Sequence, residues 1–456
     1  MKKTPLSTGI LCLLFIFIIN PSAAQQLDPV LKDLIKKGLG KSHKVNVYDL
    51  EAEKAKIDQK LAKSVFIPKL SLNGSYTRLN DDITFDEDTQ NLLMATQKLL
   101  IKEAAGLPFN APFPENIPLQ QASNLQDRNI LKSSVDIDWV LFSGFEATNA
   151  LKAAKHKEAS VTYAGLAEED RIALKIIETY DQLALINASE KVLSISEDYL
   201  QEQEDFVTSA IKNGLATPIS RKKIELARQQ LKAKELEFNH KKTMLIEVLQ
   251  QLTGVNRDEL ELLQPQLATI MMNSTQDSEK RNEIMALEEA EKATEYKAKM
   301  ARSKFIPKIA LKGHYEFLED DLSLFDPQWY VGAGVQWNIF DGNESRLKSQ
   351  QSKLESKKYR EKIEEGEEMI ALSQMKAQLS YEAAVQNAEI AKKEIELAEA
   401  TYEMLDKKYH NDLASINEVL DALKDVEKAK FQLQQSYFDQ RRATTALLHA
   451  KGLLNY

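Results

Sequence analysis

An internal repeat constrains the fold of this chain more than any other feature. Residues 64–76 read SVFIPKLSLNGSY, and residues 303–315 read SKFIPKIALKGHY. A second segment also occurs twice, as DWVLFSGFEA at 138–147 and as QWNIFDGNES at 336–345. Duplication of this kind means that one structural unit is built twice. We therefore divide the chain into a first repeat, a linker and a second repeat, with the bounds 25–254, 255–280 and 281–456.

Four short segments alternate apolar and polar residues along the chain. They predict two strands in each repeat, at about 67–79, 132–142, 307–318 and 329–340. A period of two with one apolar face is typical of a strand whose two faces meet different environments. A soluble sheet packed on a core would give the same alternation, so this pattern leaves the environment of the apolar face open.

Long helical segments follow the second strand of each repeat. Residues 147–212 and 344–456 contain no proline, and Ala, Leu, Glu, Lys and Gln dominate them. These residues are strong helix formers. A helix of about 65 residues spans ~100 Å at ~1.5 Å per residue. Such a helix extends beyond an ordinary core and must pack along its neighbours, as helices do in coiled coils.

A tight turn follows each long helix, at about 213–217 and at about 411–415, and a returning helix comes after it. After the first turn, Thr217 is placed to cap a helix that begins with proline at its first position. After the second turn, Ser415 and Glu418 have the spacing of a capping box. Each repeat therefore reads as helix, strand, loop, strand, long helix, turn and returning helix.

The loop between the first two strands, residues 80–130, is much longer than its counterpart in the second repeat. It contains an amphipathic stretch, residues 90–105, and then the proline-rich run LPFNAPFPENIP. Proline at this density indicates order by turns and not by a sheet. Two roles are compatible with the sequence, a lid over one end of the sheet and a surface decoration.

The first residues predict a secretory signal peptide over residues 1–24. Two lysines precede a short apolar run at 10–19, and small residues follow at 22–24. The only cysteine, Cys12, lies inside this segment, so we expect no disulfide or thiolate chemistry after cleavage. No later stretch is long and apolar enough for a transmembrane helix, which leaves a soluble exported protein or a β-barrel as expectations.

Charge and motif content exclude several function classes. The sequence has 60 basic and 69 acidic residues, a net charge of −9, which argues against nucleic acid as a partner. The histidines are scattered, and no metal-binding spacing or glycine-rich phosphate loop occurs. We therefore expect no metal, no cofactor and no catalytic site, so the chain is not expected to be an enzyme.

Four strands cannot close a barrel by themselves, because bacterial barrels have about eight or more strands. Two copies of the chain would give eight strands and three copies would give twelve. Aromatic residues recur at matching strand–helix junctions of the two repeats, which predicts an interfacial belt at one height of a membrane. Ordinary core aromatics are the alternative. The six residues are Phe66, Trp139, Phe142, Phe305, Trp337 and Phe340.

The motifs together resemble the TolC family of outer-membrane factors. The resemblance rests on the FIPKL and FIPKI strand entries, the FSG and FDG strand exits, the NGLAT turn and the run YHNDLASINEVLDA at 409–422. It covers essentially the whole chain after the signal. It implies a mainly α fold with a membrane β-barrel: a homotrimer in which twelve strands form a barrel continuous with a periplasmic α-helical barrel.

The resemblance also implies a function. Members of the family are passive exit ducts of tripartite efflux or type I secretion systems. They lie in the outer-membrane lipid, extend into the periplasm and dock a periplasmic adaptor, which links them to an inner-membrane pump of the proton-driven or ABC type. The cargo is not implied.

The resemblance also implies roles for residues at both turns. The adaptor-docking tips fall on Gly214, Leu215, Ala216, Thr217, Leu413, Ala414 and Ser415. Two acidic rings at the channel entrance fall on Glu418 and Asp421, although Glu418 also suits the capping box. The arginine–aspartate bridge that closes well-studied members has no equivalent here, because the matching positions are Ala414 and Ser220. Tyr409 and Arg221 are the candidates for closure contacts in its place.

Two other classes remain as alternatives. An exported structural coiled coil or adhesin predicts heptads without strand pairs, and the four alternating segments argue against it. A diffusion porin predicts many strands and few helices, which the long proline-free segments exclude.

Overall fold

The structure is a computed structural model that describes residues 27–120, 124–214, 216–268, 270, 278–319, 327–411 and 413–456. The predicted signal segment and the tip residues Leu215 and Asp412 lie outside this range. The elements in chain order are α1 (Pro29–Lys41), α2 (His43–Ser64), β1 (Lys69–Arg78), α3 (Glu87–Ala104), β2 (Asn129–Phe142), α4 (Glu146–Lys212), α5 (Pro218–Thr253), α6 (Arg257–Glu261), α7 (Asn282–Arg302), a 3₁₀ turn (Ser303–Phe305), β3 (Lys308–Glu319), β4 (Trp329–Gln336), α8 (Glu344–His410) and α9 (Ile416–Ala450).

The four strands form one antiparallel sheet in the order β1-β2-β3-β4. The predicted fold class, four strands and long helices from two repeats, is confirmed. Strand bounds differ slightly from the prediction. β2 begins at Asn129, earlier than expected, because Asn129 pairs with Arg78 at the end of β1. β4 ends at Gln336 and not near 340, because its partner Lys308 is the first residue of β3.

The register aligns the alternating residues of neighbouring strands. Leu72 is opposite Val135, which is opposite Tyr315. The polar residue Asp136 is opposite His314 in the adjacent row. Because opposite residues share a face of a sheet, the sheet has one mainly apolar face and one mainly polar face. Every residue of β1 is exposed, so no core formed by the described residues covers either face of that strand.

Two pairs of helices contain the longest helices of the described chain. α4 and α8 each have 67 residues, and α5 and α9 return from their ends. Some local features were not predicted. The first helix is divided at Ser42, whose backbone is extended. The linker contains the short helix α6, and loop 80–130 contains a helix, α3, where the sequence predicts only an amphipathic stretch.

The chain separates into two compact units. Unit 1 comprises the described residues up to Leu50 together with Thr162–Ala286 and Ile363–Tyr456. Unit 2 comprises Glu51–Val161 and Leu287–Lys362 and contains the whole sheet. Within the described residues, no helix is both long enough and apolar enough to span a membrane.

Unit 1 has two principal hydrophobic clusters. The first joins α1 to α4, α5 and the chain's last residues through buried side chains such as Leu31, Ile176 and Leu249. The second lies in the helical hairpins and includes Val207, Ile224 and Val419, which are fully buried. It draws residues from α4, α5, α8 and α9, so the two hairpins share one core. Burial of each such side chain contributes about 1.5–3 kcal/mol to the free energy of folding.

Candidate functional site

The first hairpin tip is shaped by backbone geometry. α4 ends at Lys212, and Gly214 adopts a positive φ of 74° with its N–H bonded to the carbonyl of Ile211 at 3.1 Å. Glycine adopts this conformation without steric cost. Thr217 is the N-cap residue of α5, as predicted, but its side chain makes no capping hydrogen bond. Here the proline at the first helical position starts the helix.

The second tip is held by side chains as well as backbone. The N–H of Leu413 donates to the carbonyl of Lys408 at 2.8 Å, and the Leu413 side chain is 76% exposed. The predicted capping box is confirmed. The backbone N–H of Ser415 donates to the Glu418 carboxylate at 2.7 Å, and the N–H of Glu418 donates to the Ser415 hydroxyl at 3.4 Å. An exposed leucine on a fixed turn is available for contact with a partner.

The two candidate entrance carboxylates lie on the first turns of α9. The Ser415 backbone N–H stabilises the ionised form of Glu418 and lowers the pKa of its carboxyl group. Asp421 is exposed and forms an ion pair with Lys424 at 3.4 Å. Glu418 therefore has a capping role in the single chain, and this role leaves its negative charge in place. Neither carboxylate is buried, so both are available to ions.

The closure candidates have partners in the structure. Arg221 Nε lies 3.7 Å from the Glu204 carboxylate. The ring of Tyr409 packs edge-on against that of Phe206, with centroids 5.3 Å apart. Both residues thus have contacts to α4, and their role in closure stays a prediction.

A buried polar link that the sequence does not predict joins α4 to α8. The amide of Gln203, which is 2% exposed, donates to the Asp406 carboxylate at 2.6 Å and to the Tyr402 hydroxyl at 3.3 Å. Burial raises the pKa of Tyr402 to about 12. A glutamine among many in a helical segment has no pattern that marks it, because its partners lie about two hundred positions away in the sequence.

The six junction aromatics lie at the same end of the sheet, where β1 and β3 begin and β2 and β4 end. In the first repeat, the indole N–H of Trp139 donates to the carbonyl of Phe66 at 3.0 Å. In the second, Trp337 donates to the carbonyl of Phe305 at the same distance. The duplicated sequence thus builds the same strand-to-helix connection twice. Trp139 is 40% exposed and Trp337 is 61% exposed, so both rings are accessible at this edge.

The FSG and FDG motifs form matching turns at the strand exits. Gly144 and Phe145 both have positive φ, and so do Gly342 and Asn343. A Cβ on Gly144 would lie 2.8 Å from the carbonyl oxygen of Ile306, so only glycine fits there. Phe145 tolerates the unfavourable conformation with its ring packed edge-on against Phe142, centroids 5.1 Å apart.

Charged and polar side chains interact in pairs on the polar face of the sheet. His314 Nδ1 lies 2.6 Å from the Asp136 carboxylate, and its ring stacks on Tyr330 with centroids 5.2 Å apart. Lys312 lies 3.9 Å from Asp138 on the neighbouring strand. No group of three or more His, Cys, Asp or Glu among the described residues is arranged to hold a metal ion.

Comparison with known proteins identifies a domain and a fold. Residues 275–453 match the family model described as outer membrane efflux protein. The outer membrane protein VceC of Vibrio cholerae has a TM-score of 0.71 at 16% identity, covering 93% of this chain and 96% of its own. CusC, whose structures concern transmembrane channel formation, has a TM-score of 0.71 at 15% identity, covering 94% and 93%. The Campylobacter jejuni CmeC outer membrane channel has a TM-score of 0.67 at 16% identity, covering 93% and 86%. No curated protein sequence matches the chain significantly.

Proposed function

Because residues 275–453 carry the outer membrane efflux protein domain and nearly the whole chain has the fold of outer-membrane channels, we propose that this protein is an outer-membrane exit duct. It acts as a passive trimeric channel and not as an enzyme. Its helical hairpins extend into the periplasm, where they dock an adaptor and, through it, a proton-driven or ABC-type inner-membrane pump.

The observation that carries this proposal is the open sheet. β1 and β4 are edge strands, and β1 is exposed along its whole length. Exposed edges of this length promote pairing with another chain. Since the four strands alternate in direction, β4 of one copy can pair antiparallel with β1 of the next. Three copies would close twelve strands with the apolar face toward lipid, as the resemblance implies.

An exposed apolar stripe on α8 supports assembly with further copies. Several of its members follow one another at spacings of seven residues, which is the spacing of helix-pairing positions. A stripe of this kind is costly in water and favourable in contact with another helix. The side chains, from 48% to 70% exposed, are Leu372, Leu379, Ile390, Leu397 and Met404.

Assembly is the first test of the proposal. We expect the mature protein to be a trimer in detergent, because three four-stranded sheets close a barrel of twelve strands. Light scattering with the detergent contribution subtracted measures the protein mass directly. A stable monomer, dimer or tetramer would contradict closure by three copies.

Ion selectivity tests the proposed entrance. In a trimer, Glu418 and Asp421 would form two rings of three carboxylates, which hold cations and repel anions in a narrow opening. We expect the double variant Glu418→Gln/Asp421→Asn to lose most of the channel's preference for potassium over chloride in planar bilayers. Its sensitivity to block by multivalent cations should fall as well.

The two substitutions separate charge from helix capping. Glutamine still serves in a capping box, so Glu418→Gln removes the charge while α9 keeps its start. Lys424→Gln is the matched control, because it removes the partner of Asp421 without removing a ring carboxylate. Persistence of both selectivity and cation block in the double variant would show that these residues are an ordinary cap and an ordinary surface charge.

A further inference from the structure

A cavity lies where the linker covers the helices of unit 1. Its walls come from α4, from Ile395 of α8, from α9 and from linker residues 264–268, and its volume is about 580 Å³. Every lining residue belongs to unit 1 of a single chain. We call it the linker cavity. Arg441 donates to the carbonyl of Ala268 and Pro265 is buried, so the linker wall is held against the helices.

A buried amide without a partner borders the linker cavity. Asn187 of α4 is 6% exposed, and neither Oδ1 nor Nδ2 of its side chain has a hydrogen-bond partner among the described residues. Most buried polar groups in folded proteins are paired. An asparagine amide carries an acceptor oxygen beside a donor nitrogen. Asn187 therefore offers both kinds of hydrogen bond to a molecule in the cavity.

The size and lining of the linker cavity favour an organic occupant over water. One water takes up about 30 Å³ in the liquid, whereas the cavity has the volume of a site for a small organic molecule. Part of its wall is aliphatic and includes Val192, Leu267 and Leu433. Transfer of an apolar group from water to such a wall is favourable. The fitting occupant thus has a polar group for Asn187 and an apolar group for the aliphatic wall.

The charges at the linker cavity favour an anionic group. None of the described residues that line it is acidic, whereas Lys191 and Lys430 both line it. Lys430 Nζ lies 2.9 Å from the Glu399 carboxylate, so its charge is compensated. Lys191 is exposed and forms no ion pair with any described residue. It lies one helical turn after Asn187 on the same face of α4, so one carboxylate can accept hydrogen bonds from both side chains.

We infer that the linker cavity binds an N-acylated amino acid with an apolar side chain, a group that the C-terminal residue of a short peptide also presents. In an extended residue the N–H and the carbonyl point to the same side of the chain. The N–H of the ligand donates to Asn187 Oδ1, and its carboxylate accepts from Asn187 Nδ2 and from Lys191. The apolar side chain packs on Val192 and Leu433. Because every wall belongs to one chain, this inference does not rest on the proposed trimer.

Equilibrium dialysis with radiolabelled N-acetylleucine tests the site in the purified, detergent-solubilised protein. We expect saturable binding of one molecule per chain. N-acetyl-N-methylleucine lacks the N–H and N-acetylleucinamide lacks the carboxylate, so each should compete at least tenfold more weakly than unlabelled N-acetylleucine. An acetylated tripeptide that ends in leucine distinguishes the two sources of this chemistry. Stronger competition than by N-acetylleucine identifies a peptide, and weaker competition identifies a single acylated amino acid.

Substitutions in the cavity wall locate the binding. Asn187→Leu should weaken binding of N-acetylleucine at least tenfold. The fold should tolerate it, because leucine is close to asparagine in size and the Asn187 amide has no hydrogen bond to lose within the described residues. Lys191→Met should weaken binding several-fold through loss of the carboxylate contact. Lys232→Met is the matched control, since Lys232 is exposed on α5 and does not line the cavity, and it should bind as the original protein does.

Absence of saturable binding would overturn the inference, because water or another part of the protein would then occupy the cavity. Unchanged binding by the Asn187→Leu variant would overturn it too, since the probe would then be bound elsewhere. Equal competition by N-acetyl-N-methylleucine would show that the N–H is not recognised and would have the same consequence. Protein mass and ion selectivity, measured on the same preparation, test the proposed function separately, so each hypothesis can fail without the other.

Discussion

Replacing Leu413 by aspartate should reduce export to the level of a host that lacks this protein. Leu413 is 76% exposed at the second hairpin tip, and its backbone N–H, not its side chain, fixes the turn through the carbonyl of Lys408. Aspartate is therefore compatible with the fold. In an apolar docking contact, however, it introduces a carboxylate that loses water without gaining a partner, which costs several kcal/mol. A loss of about 4 kcal/mol weakens binding roughly a thousandfold.

The measurement uses a host that depends on this channel for resistance to toxic compounds or for release of an exported protein. It compares that resistance or release between cells with the original protein, cells with the Leu413→Asp variant and cells without the protein. Trimer content and membrane insertion are measured on the same cells, since both should be unchanged. Leu215→Asp should have the same effect if the first tip, whose leucine lies outside the described residues, docks in the same way. Asn417→Asp is the matched control, because it adds the same charge to an exposed position near the second tip.

Two results would contradict a docking role for Leu413. Normal export by the Leu413→Asp trimer would show that the tip leucine is only a solvated turn residue. Equal loss of export in Asn417→Asp would show that added negative charge, and not the apolar contact, is responsible.

Removing Arg441 should cost the protein about 3–5 kcal/mol of stability, as expected when one partner of a buried ion pair is deleted. Arg441 donates to one oxygen of Asp181 from Nε at 3.0 Å and from Nη2 at 2.7 Å. It also donates to the carbonyl of Ala268. Both side chains are less than 10% exposed. Burial raises the pKa of Asp181 although Arg441 favours its ionised form, so without Arg441 the carboxylate would remain buried without compensation or take up a proton.

The adjacent residue gives a matched control. Arg442 is 64% exposed, pairs with Asp439 at 3.4 Å and lies 5.8 Å from the ring of Phe438. Arg442→Met should cost no more than about 1 kcal/mol, whereas Arg441→Met should lower the thermal midpoint of the detergent-solubilised protein clearly. Adding Asp181→Leu to Arg441→Met should recover part of the loss, because an apolar pair leaves no buried charge. Similar midpoints for the two single variants would mean that the buried pair contributes nothing.

Much of the architecture follows from local sequence. The duplicated segments predicted two similar repeats, alternation located four strands, and the absence of proline located the two long helices. The capping box of Ser415 and Glu418 was also predicted, because its hydrogen bonds join residues three apart. These features depend on residues that are close together in the sequence, so they can be predicted from the sequence alone.

Other features were decided only by tertiary structure. The order and register of the strands, the bond from Trp139 to the carbonyl of Phe66, and the Arg441–Asp181 pair join residues distant in sequence. The exposure of Leu92 and Leu100 in α3, 67% and 61%, was likewise decided by tertiary packing. The sequence shows that α3 is amphipathic. Only the structure shows that its leucines lie exposed, whereas Met94 and Ile101 on the other side of the helix are half-buried.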